Sequence, residues 1–294
     1  MNDGCWGSRA MVVRQHGRTG RNAVVAAGCA GLLLALLAVS GCSEQGAAAD
    51  SGGGAVTRAE PQEVLRQAAD VLAGTGSSQA RTAMRMASGG TRITLHGEGG
   101  FDYTRGVGEL LVSLPNQEEP VTELFVDGAL YMKNRGAGVP ADKWVRLETA
   151  ELSDGNLVTG GATHPMAAAE LLRGVQQAAE LGTKEVDGEI LWRYQGVTDI
   201  AVAAEAAQGR AGEQLAAAIG GFMDTAVPFE AYVDGNGLLR KVRHRFRFAS
   251  SSAGFPDGID VVSTVTVYGF GTPVRVALPE PGDIYAGTIG ASVG

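Results

Sequence analysis

Residues 123–133 read ELFVDGALYMK, two short apolar runs on either side of an Asp-Gly pair at 127–128. An Asp-Gly pair between alternating runs is a strong signal for a hairpin with a two-residue turn. A turn of that length would place Leu124 opposite Tyr131 on the neighbouring strand. This stretch therefore predicts an antiparallel pair of strands.

The same turn signal recurs further along the chain. Asp187-Gly188 precedes alternating Ile190, Trp192 and Tyr194, and a third turn at 234–237 joins two more runs. Consecutive hairpins favour an antiparallel sheet, and a sheet of about ten strands must curl. The other predicted strands are 91–96, 108–114, 228–233, 238–248 and 259–268.

Three segments have helical spacing. The first follows a possible capping box at 57–60, and the second begins at His164-Pro165 and ends at Gly182, with proline at its first position. The third covers 199–224 and is interrupted near 209–212, so it is two helices or one bent helix. Hairpins with helices inserted between them predict an α+β fold.

The composition excludes several classes of protein. Hydrophobic residues make up 45% and charged residues 19% of 294 residues, so a packed core is expected. The net charge is -8, and because residues 1–41 hold four Arg and one Asp, the remainder carries -11. This balance argues against a nucleic-acid binder and against purely electrostatic docking on an anionic membrane. Three cysteines without a CxxC pair or paired histidines argue against a disulfide framework or a zinc site.

The N-terminus has the pattern of an export signal. A basic stretch at 1–22 precedes 17 residues at 23–39 that carry no charged or strongly polar side chain. Basic, apolar and small residues in this order form a secretory signal peptide, and the apolar run is shorter than the roughly 20 residues of a spanning helix. Translation is expected to begin at Met11 rather than Met1, which gives the basic region an ordinary length.

Val-Ser-Gly-Cys at 39–42 resembles the lipobox of bacterial lipoproteins. The resemblance implies cleavage between Gly41 and Cys42, with acyl chains such as palmitate attached at Cys42. Two or three chains suffice for stable attachment to the extracytoplasmic face of the cell membrane. The alternative is a plain exported protein with a chance cysteine.

The mature chain begins with a polar, glycine-rich stretch of low complexity. Such a stretch is a flexible tether, with a root-mean-square span of roughly 20 Å for 14 residues. We therefore predict a signal peptide at 1–41, a lipidated cysteine with its tether at 42–56, and a folded domain at 57–294.

Six segments carry a further resemblance: FDYTRGVGEL (101–110), ELFVDGALYMK (123–133), DKWVRL (142–147), ELGTKEVDGEILWRYQG (180–196), FEAYVDGNGLLRKVR (229–243) and YGFGTPVRVALPEPGD (268–283). Together they resemble actinobacterial cell-envelope lipoproteins of the LppX/LprG type. The resemblance implies the half-barrel of the LolA/LolB superfamily, in which a strongly curved antiparallel sheet carries helices on its concave face. It further implies an apolar cavity between the two layers and carriage of acylated lipids or glycolipids.

The candidate cavity residues are apolar or aromatic and come from both layers. Each alternates with polar neighbours or lies on a helical stripe, so a plain core role is the alternative for every one of them. The candidates are Phe101, Tyr103, Leu110, Val112, Leu124, Val126, Tyr131, Met166, Leu171, Val175, Trp192, Tyr194, Ile219, Phe222 and Met223.

Residues 241–248 alternate between basic and apolar side chains. The basic row either contacts lipid phosphates or an anionic partner, or forms a solvated convex face that pairs with Asp260 and other carboxylates. On an outer strand, such residues would also discourage edge-to-edge aggregation. The row consists of Lys241, Arg243, Arg245 and Arg247.

The sequence contains no HExxH motif, P-loop or GxGxxG motif after a strand. His164 is better explained as a helix start, and His244 as a core histidine on the apolar strand face. We therefore expect no catalysis, no metal and no cofactor. Two functions remain: a lipoprotein that binds an acylated lipid, or a surface lipoprotein with a filled core that docks an envelope protein.

Overall fold

A computed structural model describes residues 59–115, 117–126, 128–135, 138–248 and 258–286. Its strands form one antiparallel sheet in the order β6-β5-β4-β3-β2-β1-β11-β10-β9-β8-β7. The end strands do not pair with each other, so the sheet is an open half-barrel. The strands are β1 (Ser77–Ser88), β2 (Thr91–Asp102), β3 (Val107–Ser113), β4 (Val121–Val126), β5 (Ala129–Lys133), β6 (Trp144–Glu148), β7 (Val175–Val186), β8 (Glu189–Asp199), β9 (Ala226–Val233), β10 (Leu239–Phe248) and β11 (Ile259–Tyr268).

Short helices pack against one face of this sheet, which we call the inner face. Within the described ranges, no helix is both long and apolar enough to cross a membrane. The predicted signal peptide, Cys42 and the tether lie outside the described residues. The helices are α1 (Pro61–Arg66), α2 (Ala68–Gly74), α3 (Pro165–Glu170), α4 (Ile200–Ala206) and α5 (Gly209–Ala218).

The α+β prediction is confirmed, with eleven described strands where about ten were expected. Leu124 lies opposite Tyr131 in the β4–β5 pair, as the two-residue turn requires. At the second predicted turn, Asp187 and Gly188 have φ angles of 52° and 80°. A turn with positive φ at both central residues matches the twist of the strands that it joins.

The prediction of one helix from His164 to Gly182 is wrong. The helix ends at Glu170, one 3₁₀ turn follows at Leu171–Gly174, and the chain then enters β7. The alanines favour a helix locally, but pairing with β8 across the Asp-Gly turn overrides that preference. The turn itself was the missed signal, because a two-residue hairpin needs a strand on both sides.

The third predicted helical segment is two helices, α4 and α5, separated at Ala207-Gln208. Asp199 caps α4 by accepting hydrogen bonds from the backbone N–H groups of Ala201 (2.8 Å) and Val202 (3.1 Å). Strand β1 was not predicted, since its sequence SSQARTAMRMAS has few β-branched or aromatic residues. Its pairing with β2 and β11 makes it a central strand of the sheet.

The inner face is packed in two apolar clusters. One lies mainly between β1–β6 and helices α3–α5, extends to β9, β10 and β11, and includes Phe101, Leu130 and Leu215. The other lies between β8–β11 and helices α1–α3, and includes Leu72 and Tyr194. Most of the space between the two layers is therefore occupied by side chains.

Residues 152–163, which we call the interior loop, enter this space between the sheet and α5. Leu157, Val158 and Ala162 belong to the first cluster. The Asp154 carboxylate accepts hydrogen bonds from the N–H groups of Asn156, Val158 and Thr159 at 2.6–3.1 Å, so the loop backbone is satisfied internally. Because the loop fills its part of the interior, it leaves less empty volume than the half-barrel resemblance implies.

Part of the opposite, outer face of the sheet is covered by the last of the described residues. A segment at 269–286 leaves β11, and a Cβ on Gly100 of β2 would lie 3.1 Å from Val274 in that segment. The segment ends against β6, where Tyr285 N donates to Trp144 O at 2.8 Å. It therefore contacts the outer face at β2 and reaches the sheet edge at β6.

Candidate functional site

An apolar pocket of about 200 Å³ lies between the sheet and helices α3 and α5. Phe125 and Ala129 line it from the sheet, Met166 from α3, and Ala211 and Leu215 from α5. The pocket exists because small alanine side chains face the sheet at both helices. Its volume is below the roughly 300–1,000 Å³ of typical small-molecule sites, so it suits one short or partly inserted chain.

His164 forms part of the pocket wall. Its ring meets Phe101 and Phe125 edge-on, with ring centroids 4.6 and 5.0 Å apart. Its Nδ1 accepts a hydrogen bond from Met166 N at 3.0 Å and caps α3, as the sequence suggested. Desolvation lowers the pKa of His164 to about 4, so the ring is neutral at physiological pH.

Polar side chains surround the apolar pocket lining. Arg105 Nη1 lies 3.8 Å from Asp102 Oδ2, and Glu170 accepts a hydrogen bond from Arg173 Nη2 at 3.2 Å, so both carboxylates have cationic neighbours. Arg210 contributes a further cation at the start of α5. The arrangement is an apolar slot with a charged surround, which suits an amphiphile.

The structure places the fifteen candidate cavity residues in several environments. Tyr103, Val126 and Met166 line the pocket. Leu124, which is only 1% exposed, and Tyr131 lie opposite each other on the outer face of the sheet, while Ile219 and Met223 are 37% and 49% exposed. The remainder belong to the packed clusters or lie against them: Phe101, Leu110, Val112, Leu171, Val175, Trp192, Tyr194 and Phe222.

Sequence reasoning missed several residues that form the pocket. Phe125 could have been found from the alternation of β4. It is four residues from Val121, so both side chains lie on the same, inner face of the strand. The residues from α5, Arg210, Ala211 and Gln214, follow a glycine-rich break and carry no periodic signal of their own. Asn156 lies in a loop for which no structure was predicted.

Glu123 is a buried carboxyl group on the inner face of β4, next to the interior loop. Neither of its oxygens has a hydrogen-bond partner among the described residues, and Arg135 Nη1 lies 3.7 Å from Oε1. The Arg135 guanidinium instead donates to the carbonyl oxygens of Gly160 (2.8 Å) and Thr159 (3.0 Å). Burial raises the pKa of Glu123 to about 8, against the opposing effect of Arg135.

Gly155 lies where the interior loop packs directly against the backbone of α5. Its φ is +54°, and a Cβ there would lie 2.1 Å from the carbonyl oxygen of Gln214. We expect Gly155→Ala to lower the free energy of unfolding by about 2 kcal/mol or more, because the loop and the helix would have to separate. Urea denaturation measures this. The control is Gly220→Ala, where no atom lies within 4 Å, and an equal loss in both variants would contradict the expectation.

Two histidines on the inner side of the sheet, the buried His244 and the half-buried His164, should resist protonation. Desolvation lowers the pKa of His244 to about 3, as it lowers that of His164 to about 4. In each case the pKa of the ring in the folded protein is below its pKa in the unfolded chain. The contribution of the neutral ring to the free energy of unfolding is therefore present above about pH 6.5 and is lost as pH falls towards the folded pKa. We expect the ring C–H chemical shifts of both residues to stay constant from pH 8 to pH 5 in NMR spectra. A midpoint near pH 6.5 for either ring would contradict the lowering of its pKa by desolvation.

Among the described residues, no group of three or more His, Cys, Asp or Glu side chains is arranged to hold a metal ion. The predicted basic row lies on the outer face of β10, away from the pocket, with Val242, His244 and Phe246 on the inner face. Arg247 pairs with Asp260 at 3.9 Å.

Several solved structures are similar to this chain. Its structural neighbours include LppX and a LolA-superfamily protein. The lipoprotein LppX of Mycobacterium tuberculosis is 17% identical with a TM-score of 0.44, over 74% of this chain and 97% of that chain. LprF of Mycobacterium bovis is 14% identical with a TM-score of 0.39, over 74% and 96%. The LolA-superfamily protein of Nitrosomonas europaea is 13% identical with a TM-score of 0.33, over 74% and 96%. No family model and no curated protein matches the sequence.

Proposed function

We propose that this chain is an extracytoplasmic lipoprotein, anchored through Cys42, that holds one acyl chain of a lipid or glycolipid in the pocket. The observation that carries this proposal is the apolar slot between the β4–β5 hairpin and helices α3 and α5, with charged groups around it. Met166 adds an adaptable wall that tolerates acyl chains of different shape.

The energetics suit reversible carriage rather than permanent storage. Burying a methylene group is worth about 0.8 kcal/mol, so about six buried methylenes would give about 5 kcal/mol before the cost of immobilising the chain. A pocket of about 200 Å³ leaves the rest of the lipid outside. The exposed remainder would let a membrane or a partner withdraw the ligand.

The test is organic extraction of the protein purified from an actinobacterial host, followed by mass spectrometry of the extract. We expect an acylated compound at a fixed ratio to protein, and uptake of added lipid by the extracted protein. A folded protein with neither bound lipid nor uptake would contradict the proposal. The same preparation tests the anchor, because the N-terminal peptide should begin at Cys42 and carry acyl chains.

A second function is favoured by the filled part of the interior and by exposed apolar side chains. Ile93, Ile219 and Met223 are 42%, 37% and 49% exposed. Such side chains suit contact with an envelope protein partner. A photo-crosslinking residue at position 223 should give one discrete adduct in cells if this function holds, and no adduct if the protein acts only as a lipid carrier.

A further inference from the structure

A strongly basic surface lies on the outer side of the sheet, where strands β9, β10, β11, β1 and β2 adjoin. We call its seven Lys and Arg side chains, together with the residues between them, the basic face. Three carboxylates, Glu98, Glu230 and Asp260, lie among these side chains on the same strands, so the group has a balance of +4 in a chain of net charge -8. The seven are Arg81, Arg85, Arg92, Lys241, Arg243, Arg245 and Arg247.

The three carboxylates do not neutralise the face. Glu98 pairs with Arg81 at 3.0 Å, and Asp260 lies 3.9 Å from Arg247. Glu230 lies opposite Arg243 in the β9–β10 pair, but its carboxylate accepts the hydroxyl hydrogen bond of Tyr232 and forms no ion pair with that arginine among the described residues. Among the described residues, the other four arginines have no ion pair. They are Arg85, Arg92, Arg243 and Arg245, of which all but the partly buried Arg243 are exposed.

The strand register brings these unpaired cations together. Val262 of β11 lies opposite both Arg85 of β1 and Arg245 of β10, so the two arginines are two strand spacings apart, about 10 Å. Arg243 lies two residues from Arg245 along the same strand. The intervening outer positions of β11 are Val262, Thr264 and Thr266, where a carboxylate would have offset the repulsion between the cations.

Protection of a sheet edge does not explain this arrangement. β10 pairs with β9 on one side and β11 on the other, and β1 pairs with β2 and β11. All of the strands that carry the cations are interior strands with no free backbone groups to guard. The basic face also lies away from the pocket, which is on the inner side of the sheet.

We propose that the basic face docks the domain on the anionic phospholipid surface of the membrane that holds the lipid anchor. A sheet face presents its cations on a broad surface rather than in a concave cradle, so it matches many mobile headgroups better than a single bound anion. Each Lys or Arg near an anionic surface strengthens attachment about fivefold. The net charge of the whole chain opposes adsorption from solution, but a tether of roughly 20 Å keeps the face close enough for local attraction.

This inference rests on the proposed anchor and not on ligand binding in the pocket. The test uses the full-length lipoprotein, with acylation verified by mass, inserted through its own anchor into nanodiscs. A fluorophore on Thr264→Cys reports contact with headgroup-labelled quencher lipids, since the only other cysteine of the mature chain, Cys42, is blocked by its acyl group. We expect at least fivefold stronger quenching in discs with phosphatidylglycerol than in phosphatidylcholine discs at 0.1 M salt, and loss of the difference at 0.5 M salt.

Two comparisons make the experiment specific. Arg85→Gln combined with Arg245→Gln should reduce the quenching at least fivefold, whereas Arg66→Gln with Lys184→Gln, which removes the same charge from exposed positions elsewhere, should leave it unchanged. A fluorophore on Glu213→Cys of α5 should remain unquenched. Equal quenching in both kinds of disc, no quenching in either, or equal effects of the two double variants would each overturn membrane docking. An acidic protein or polymer would then be the remaining kind of partner for the face.

Discussion

Ala211→Trp should lose at least tenfold in affinity for a fluorescent fatty acid while the protein remains folded. Ala211 lines the pocket from the first turn of α5. An indole at this position would take up much of a cavity of about 200 Å³, so the acyl chain would have no apolar space to enter. Because the residue is only half-buried, the indole can turn partly towards solvent and the domain should tolerate it.

The matched control is Ala216→Trp, which adds the same side chain to an exposed position of the same helix. Fluorescence titration and thermal unfolding are measured on both variants. If the two variants bind the fatty acid as well as the unchanged protein does, the acyl chain is held elsewhere. If both lose binding together with their unfolding transition, the tryptophan has damaged α5 and Ala167→Val provides a smaller obstruction at the α3 wall.

Glu123→Gln should change the dependence of stability on pH more than any other carboxylate substitution among the described residues. The folded pKa of about 8 is raised above the ordinary value of 4.5, so the folded state retains a proton that the unfolded chain releases. The contribution of Glu123 to stability is therefore full below about pH 4.5 and is lost as pH rises through about 8. Glutamine keeps the neutral state at all pH values and removes this loss.

We expect the unfolding free energy of the unchanged protein, relative to Glu123→Gln, to fall by about 1 kcal/mol per pH unit between pH 5 and pH 8. Taking the difference between the two proteins removes the opposite contribution of the buried histidines, which both contain. Urea denaturation at several pH values measures it, and Glu185→Gln on the exposed part of β7 is the control. A constant difference across this range would show that Glu123 is ionised in the folded protein.

The hairpins were predictable because a two-residue Asp-Gly turn encodes its own register. The turn at 187–188 needs no tertiary information, since aspartate and glycine adopt the positive φ angles that it requires. The alternation of β10 likewise predicted correctly which side chains face inward, because a strand repeats every two residues.

Other features depend on tertiary contacts that no local pattern contains. Residues 175–182 have the composition of a helix but form part of β7, because β8 supplies their hydrogen bonds. The interior loop has no apolar period and is buried through the hydrogen bonds of Asp154. The pocket depends on which alanines of α3 and α5 face the sheet. The volume of the pocket is limited by the interior loop, whose Asn156 forms part of the wall.

The two free edges of the sheet differ in how they resist polymerisation. At β6, Ile284 forms a parallel bridge with Trp144, so the C-terminal segment occupies part of the backbone that another molecule would need. At β7, a register shift between Glu180 and Thr183 breaks the regular ladder, and charged side chains at Lys184 and Glu185 are exposed. Bulges and charges of this kind oppose strand addition, so crowding of many copies of this domain need not lead to fibre growth.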